Sequence, residues 1–221
     1  VVLITIDTLR WDRLGANDAR FGPKGRNTMP NLTEWSKGAV NFRRAYTPGG
    51  WTSIAIGSLL RGLYARRLEW TAYYETSFYR MVRDPLSATL GPAERIVKMF
   101  PLAWNDPHGP LPFWLKRRGM RTLAVTDDGF TQMLSSTLHA DRGFDTYHEV
   151  AGEPQSDPAE FKRARRRIRK QLAGQGDAAT ATAAISSLRW SARGSRFFLW
   201  AHFFGPHTPS TGHPGVEPYG T

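Results

Sequence analysis

Six apolar or β-branched residues, Val1 to Ile6, run without interruption into a carboxylate, Asp7. A half-exposed strand would alternate apolar and polar side chains. An unbroken run of this length reads instead as a central strand of a parallel sheet, buried on both faces. That reading constrains the rest of the chain strongly, because parallel strands need crossover connections and helices must cover both faces of the sheet. It also places any ligand site beyond the carboxyl ends of the strands, which is where Asp7 stands.

The remainder of the chain follows the same alternation. Asn31 is placed to cap a helix over Leu32 to Lys37, with Glu34 as a capping-box partner and Gly38 as the stop. Ala39 to Tyr46 reads as a second extended segment. Gly49 and Gly50 then break the chain, and Ser53 to Arg61 carries Ile54, Ile56, Leu59 and Leu60 at helical spacing before Gly62. A helix over Pro112 to Arg118, stopped by Gly119, precedes a strand at Arg121 to Thr126. Phe161, Ala164, Ile168 and Leu172 form a thin stripe on an Arg-rich surface helix. Ala181, Ala184, Ile185, Leu188 and Ala192 mark another helix, ending at Gly194, and Arg196 to Phe204 is an aromatic-rich strand.

Strands at 1–6, 121–126 and 196–204, separated by helices, give an α/β fold with a mostly parallel central sheet in a three-layer αβα sandwich. One domain over residues 1–221 is the simplest organisation for 221 residues. Leu63 to Gly109 does not fit the alternation; its aromatics and scattered prolines read as an insertion that covers the core. Val1 lacks a preceding initiator, and a Pro/Gly-rich run leads to Thr221, so both ends read as trimmed. No stretch reaches the roughly 18 apolar residues of a membrane span.

Thirty Lys plus Arg against nineteen Asp plus Glu give a formal charge of +11, which attracts anions in general: nucleic acid, anionic lipid, or sulfated and phosphorylated substrates. The absence of cysteine excludes disulfides, thiolate metal sites and a Cys nucleophile. The basic run from Lys162 to Lys170 has no accompanying nucleic-acid recognition motif and fits a solvated helix face or a lipid headgroup surface better. No nucleic-acid partner is expected.

Three positions carry chemistry. Asp7 suits a hard metal cation, and equally a turn cap or a pairing with Arg10. Thr52 follows the two glycines and opens a helix, so its plainest role is an N-cap; the same position sets its hydroxyl beside free backbone N–H groups, where a tetrahedral anion binds. His202 and His207 flank Phe203-Phe204-Gly205-Pro206 at the end of the last clear strand, facing the functional edge of the sheet.

These residues sit in blocks that resemble the ordered motifs of the sulfatase family of the alkaline phosphatase superfamily. The blocks are Leu3 to Asp12, Met29-Pro30-Asn31-Leu32, Trp51 to Gly62, Arg142-Gly143-Phe144-Asp145 and Phe197 to Pro209. The resemblance implies an alkaline-phosphatase-like fold whose C-terminal part is missing here. It implies a divalent metal ion (Ca, Mn, Zn or Mg) held by Asp7, with Thr52 as nucleophile and metal neighbour and His207 and His202 against the substrate anion. The substrate class is a sulfated or phosphorylated glycan or lipid, and the setting is periplasmic or extracellular, with anchoring to the inner membrane possible through segments outside this chain.

The chain departs from the family pattern in several places. Formylglycine sulfatases carry Cys or Ser in a Cys/Ser-x-Pro-x-Arg pattern, whereas Thr52 is followed by Ser53, Ile54, Ala55 and Ile56. Thr at this position resembles the phosphoethanolamine and lipoteichoic-acid type transferases. Thr8 stands where many sulfatases have a second metal-binding Asp, and Gly205 where the family often has Asp. The Asp-His or Asp-Asn pair that completes the family's metal site has no counterpart in a suitable place before Thr221, so this chain alone is expected to be inactive. The alternative to an enzyme is a degenerate relative that binds an anionic polymer or lipid.

Overall fold

The computed structural model describes residues 1–14, 29–50, 52–68, 71–73, 97–100, 108–127, 140–150, 175–191, 194 and 196–206. Four strands form one parallel sheet: β1 (Val2–Ile6), β4 (Arg121–Thr126), β5 (Thr146–Glu149) and β6 (Phe197–Phe203), in the order β1-β6-β4-β5. The three strands read from the sequence share this sheet. β5 escaped that reading because Thr146-Tyr147-His148-Glu149 is mostly polar and, among the described residues, pairs on one side only, with β4. Inside the presumed insertion, β2 (Thr71–Tyr73) and β3 (Val97–Phe100) form a separate antiparallel pair.

β4 and β6 are the inner strands, and side chains alternate between two cores. Ala124, Phe198 and Trp200 face one way, against Ile56 and Leu60 of α2 (Thr52–Arg61) and Leu115 of α3 (Leu111–Arg117). Leu123, Val125, Leu199 and Ala201 face the other way, against Ala184 and Leu188 of α4 (Gln175–Ser191). Helices thus cover both faces, and the layers are αβα. The middle of each inner strand is close to fully buried, Trp200 and Val125 completely. Each such large apolar side chain stabilises the fold by about 1.5–3 kcal/mol.

β1 differs from its sequence reading. It pairs only with β6 among the described residues, and Val2 and Ile4 are 44 % and 59 % exposed. The apolar run therefore forms an outer strand, with one face on the core through Leu3.

Two further local expectations fail for physical reasons. α1 spans Pro30–Ser36, with Met29 at the cap position and no side-chain cap bond. Proline at the first helical position has its φ already set and no N–H to lose, so the helix begins before Asn31 can cap it. Glu34 pairs with Lys37 instead of closing a capping box. Ala39 to Tyr46 forms no strand and is exposed throughout, since no described strand forms a ladder with it. The Arg-rich helix expected near Phe161 to Leu172 lies outside the described residues.

The Arg142-Gly143-Phe144-Asp145 block is a structural latch beneath the sheet. Gly143 has φ +90°, and a Cβ there would lie 2.5 Å from the backbone N of Phe113. This close approach lets Phe144 stack on Phe198 and Trp200, with centroids 6.4 and 6.0 Å apart. Asp145 then ties down the start of β4: Thr122 N–H donates to its Oδ2 at 2.9 Å, Asp145 N–H donates back to Thr122 Oγ1 at 3.1 Å, and Lys116 pairs with Oδ1 at 2.6 Å.

Candidate active site

β1 and β6 run parallel with Thr5 opposite His202 and Ile6 opposite Phe203. Asp7 leaves β1 at the carboxyl edge of the sheet, its N–H donating to Phe203 O at 2.8 Å. The next residue, Thr8, has φ +51°. A β-branched residue in the left-handed region is strained, and strain of this kind clusters at functional turns. Here it turns the chain sharply after the carboxylate.

Thr52 is the first residue of α2, as the two glycines before it suggest. Its Oγ1 donates to Asp7 Oδ2 at 2.6 Å, a short charge-assisted bond. The same Oδ2 lies 3.7 Å from His202 Nε2. Both the His202 and the Asp7 side chains are nearly withdrawn from solvent, 1 % and 9 % exposed. On the far side of the imidazole, His202 Nδ1 is 2.8 Å from Thr5 Oγ1, which also accepts the Trp200 indole N–H at 2.9 Å. Asp7, Thr52 and His202, from three separate sequence blocks, therefore converge on one point. His207 lies outside the described residues.

Other polar residues stand at this edge, among them Asp127, which with Asp128 falls too early in the chain for the metal-site pair that the family resemblance implies. Asp127 follows β4 as Asp7 follows β1, donates its N–H to His202 O at 3.0 Å, and is 5 % exposed. A carboxylate closing a β-branched apolar run was the signal available for both. Gly176, in the first turn of α4, approaches it so closely that a Cβ would lie 2.6 Å from Asp127 Oδ2. Asp177, from the neighbouring helix, accepts the Gly205 N–H at 3.0 Å. Thr126 aligns with His202 across the sheet, and its buried hydroxyl has no partner among the described residues.

The oxygen donors at the centre, one carboxylate and one hydroxyl, match a hard divalent cation in kind. They do not match it in number: no group of three His, Cys, Asp or Glu able to hold a metal occurs among the described residues.

The model of the family described as Sulfatase matches residues 1–219. This chain belongs to the sulfatase family. Two solved structures resemble the sulfatase chain in fold. One is a protein in the alkaline phosphatase superfamily from Vibrio parahaemolyticus, at 16 % identity and TM-score 0.54, covering 100 % of this chain and 44 % of that one. The other is Ps i-CgsB in complex with k-i-k-neocarrahexaose, at 16 % identity and TM-score 0.56, covering 94 % and 45 %. The sulfatase chain thus spans under half the length of either structure. No curated protein sequence matches it.

Ile56, which the resemblance sets where the formylglycine pattern has its arginine, is 8 % exposed and packs with Leu60, Ala124, Phe198 and Trp200.

Proposed function

We propose that this sulfatase-family chain carries the nucleophile of a metal-dependent hydrolase or transferase of phosphate or sulfate esters, with Thr52 as the attacking group. The observation that carries the reading is the 2.6 Å hydrogen bond from Thr52 Oγ1 to Asp7 Oδ2 at the carboxyl edge of the sheet. A threonine hydroxyl is a weak nucleophile until its proton has somewhere to go. Asp7 accepts that bond, and the start of α2 offers free backbone N–H groups to the oxygens of a tetrahedral ester.

Asp7 and Thr52 are the residues that would hold a divalent cation, further ligands coming from outside the described residues. When bound, the cation lowers the hydroxyl pKa and offsets charge on the transferring group. Thr52 oxygen then forms a bond to phosphorus or sulfur as the ester oxygen leaves with a proton. Water or an alcohol acceptor takes the group in a second step, which restores the hydroxyl. The buried Ile56 supports phosphoryl transfer over formylglycine chemistry, since that chemistry draws on an arginine there.

The net charge of +11 suits an anionic lipid or glycan substrate. A location outside the bacterial inner membrane is part of the proposal; among the described residues no helix is long and apolar enough to cross a membrane.

The test is turnover of phosphodiester, phospholipid and aryl sulfate donors by the full-length protein with Mn, Zn or Mg. Thr52→Ala is expected to lower kcat by about 10⁴-fold or more, and Ser53→Ala to leave most activity, with the trapped phosphoryl or sulfuryl group found on Thr52 by mass spectrometry. Full activity in Thr52→Ala, or an adduct on Ser53, would falsify the assignment. Binding of anionic polymer without turnover of any donor would favour a non-catalytic relative.

A further inference from the structure

The hydrogen-bond chain behind His202 fixes more than its position. Trp200 is fully buried and its indole nitrogen can only donate, so the 2.9 Å contact to Thr5 Oγ1 uses one of the lone pairs of that oxygen. The hydroxyl keeps a single proton, and its other partner among the described residues is His202 Nδ1 at 2.8 Å. If Nδ1 carried the ring proton, both of these partners would be donors and the Thr5 proton would have no acceptor among the described residues in a partly buried place. The arrangement that gives the indole and the Thr5 hydroxyl an acceptor each runs Trp200 N–H to Thr5 oxygen, then Thr5 O–H to an unprotonated Nδ1. A neutral imidazole held this way carries its proton on Nε2, the atom that faces Asp7 Oδ2 at 3.7 Å.

We propose that Thr5 is a positioning residue that locks His202 in the Nε2–H form, so that this imidazole enters the pocket as a hydrogen-bond donor to an oxygen of the transferring group and not as a ligand of the cation. An Nε2 that carries a proton has no lone pair in the ring plane to give a metal. The role of that donor in transfer rests on the proposed function; the proton position does not. Trp200 is held in turn by stacking on Phe144, so the chain of support runs from the Arg142-Gly143-Phe144-Asp145 block to the pocket.

The test separates the two. Nitrogen-15 NMR of histidine-labelled protein without metal, with His202→Gln used to assign the ring signals, is expected to show Nδ1 in the unprotonated range and Nε2 protonated. That pattern should persist when Mg²⁺ or Zn²⁺ is added. Thr5→Val keeps the β-branched shape but removes the hydroxyl, and should shift the ring towards the other tautomer; Thr5→Ser should restore the wild-type pattern. In a turnover assay Thr5→Val should lower kcat about 10–100-fold, with Thr5→Ser recovering most of it. An Nδ1–H ring in the wild type, loss of the Nε2 proton on adding either metal, or a Thr5→Val spectrum identical to wild type would overturn the proposal, whether or not the protein turns over any donor.

Discussion

Gly143→Ala is the substitution whose cost can be worked most directly from the backbone. At φ +90° an L-residue pays about 1–2 kcal/mol for the left-handed conformation. The added Cβ would also lie 2.5 Å from Phe113 N and 2.9 Å from Phe113 Cα. Both atoms belong to the main chain of α3, so no side-chain rotation relieves the overlap, and overpacking of this kind costs about 1–3 kcal/mol more. The expected total is about 2–5 kcal/mol. Gly62→Ala is the matched control: φ is +63° and no described atom lies within 4 Å of its Cβ position, so only the conformational part, about 1–2 kcal/mol, applies. Thermal unfolding followed by tryptophan fluorescence measures both. For a chain of this size Tm should fall about 10 °C for Gly143→Ala and about 4 °C for Gly62→Ala. The larger change should also loosen Phe144 from Trp200 and so lower activity, which Gly62→Ala should not. Equal losses in the two variants would refute the steric argument.

Two other substitutions probe the latch and the strained turn. Burial alone would raise the Asp145 carboxyl, but the Lys116 hydrogen bond, the Thr122 N–H and hydroxyl, and the Lys116 charge together hold it below its usual range. A depressed folded pKa contributes stability that is complete above the unfolded value of about 3.9 and lost as pH falls through the lower folded value. Asp145→Asn should therefore cost about 1–2 kcal/mol at pH 7 and progressively less below about pH 4; a cost that does not change with pH would refute it. Thr8→Gly should raise Tm by about 2–4 °C by relieving the left-handed strain; a lower Tm would show that the turn is not strained.

The parts of this fold legible in the sequence are those where local pattern and tertiary role agree. β4 and β6 are buried on both faces and read as apolar runs, and α2 carries Ile56 and Leu60 at core spacing. Asp7, Thr52 and His202 were readable because each ends or opens an element at the sheet's carboxyl edge. What was not readable depends on neighbours distant in sequence. α4 begins at Gln175, well before its apolar stripe, because its first turn packs against Asp127 and Gly205 and needs small and acidic residues there. Thr5 looked like one more β-branched strand residue; only the pairing of β1 with β6 puts its hydroxyl against His202 and Trp200. Ile56 stands where the resemblance leads one to expect an arginine, but its place in the core required α2 to be docked on the sheet.

The pairing of β1 with β6 also sets when the site can exist during synthesis. The strand that carries Asp7 leaves the ribosome well before its partner, because the paired residues of β1 and β6 are 197 positions apart. At about 5–20 residues per second, β1 waits roughly 10–40 seconds as an unpaired apolar segment before a partner emerges. Helices and the β4–β5 pair can form from closer contacts in that interval, but the bond between Asp7 and Thr52 needs β1 docked. Closure over so long a loop is slow, and an unpaired apolar strand is a template for association with other chains. Expression yield should therefore depend on holding β1 apart until β6 is made, a burden on the cell's chaperones that falls on the very residues that make the candidate site.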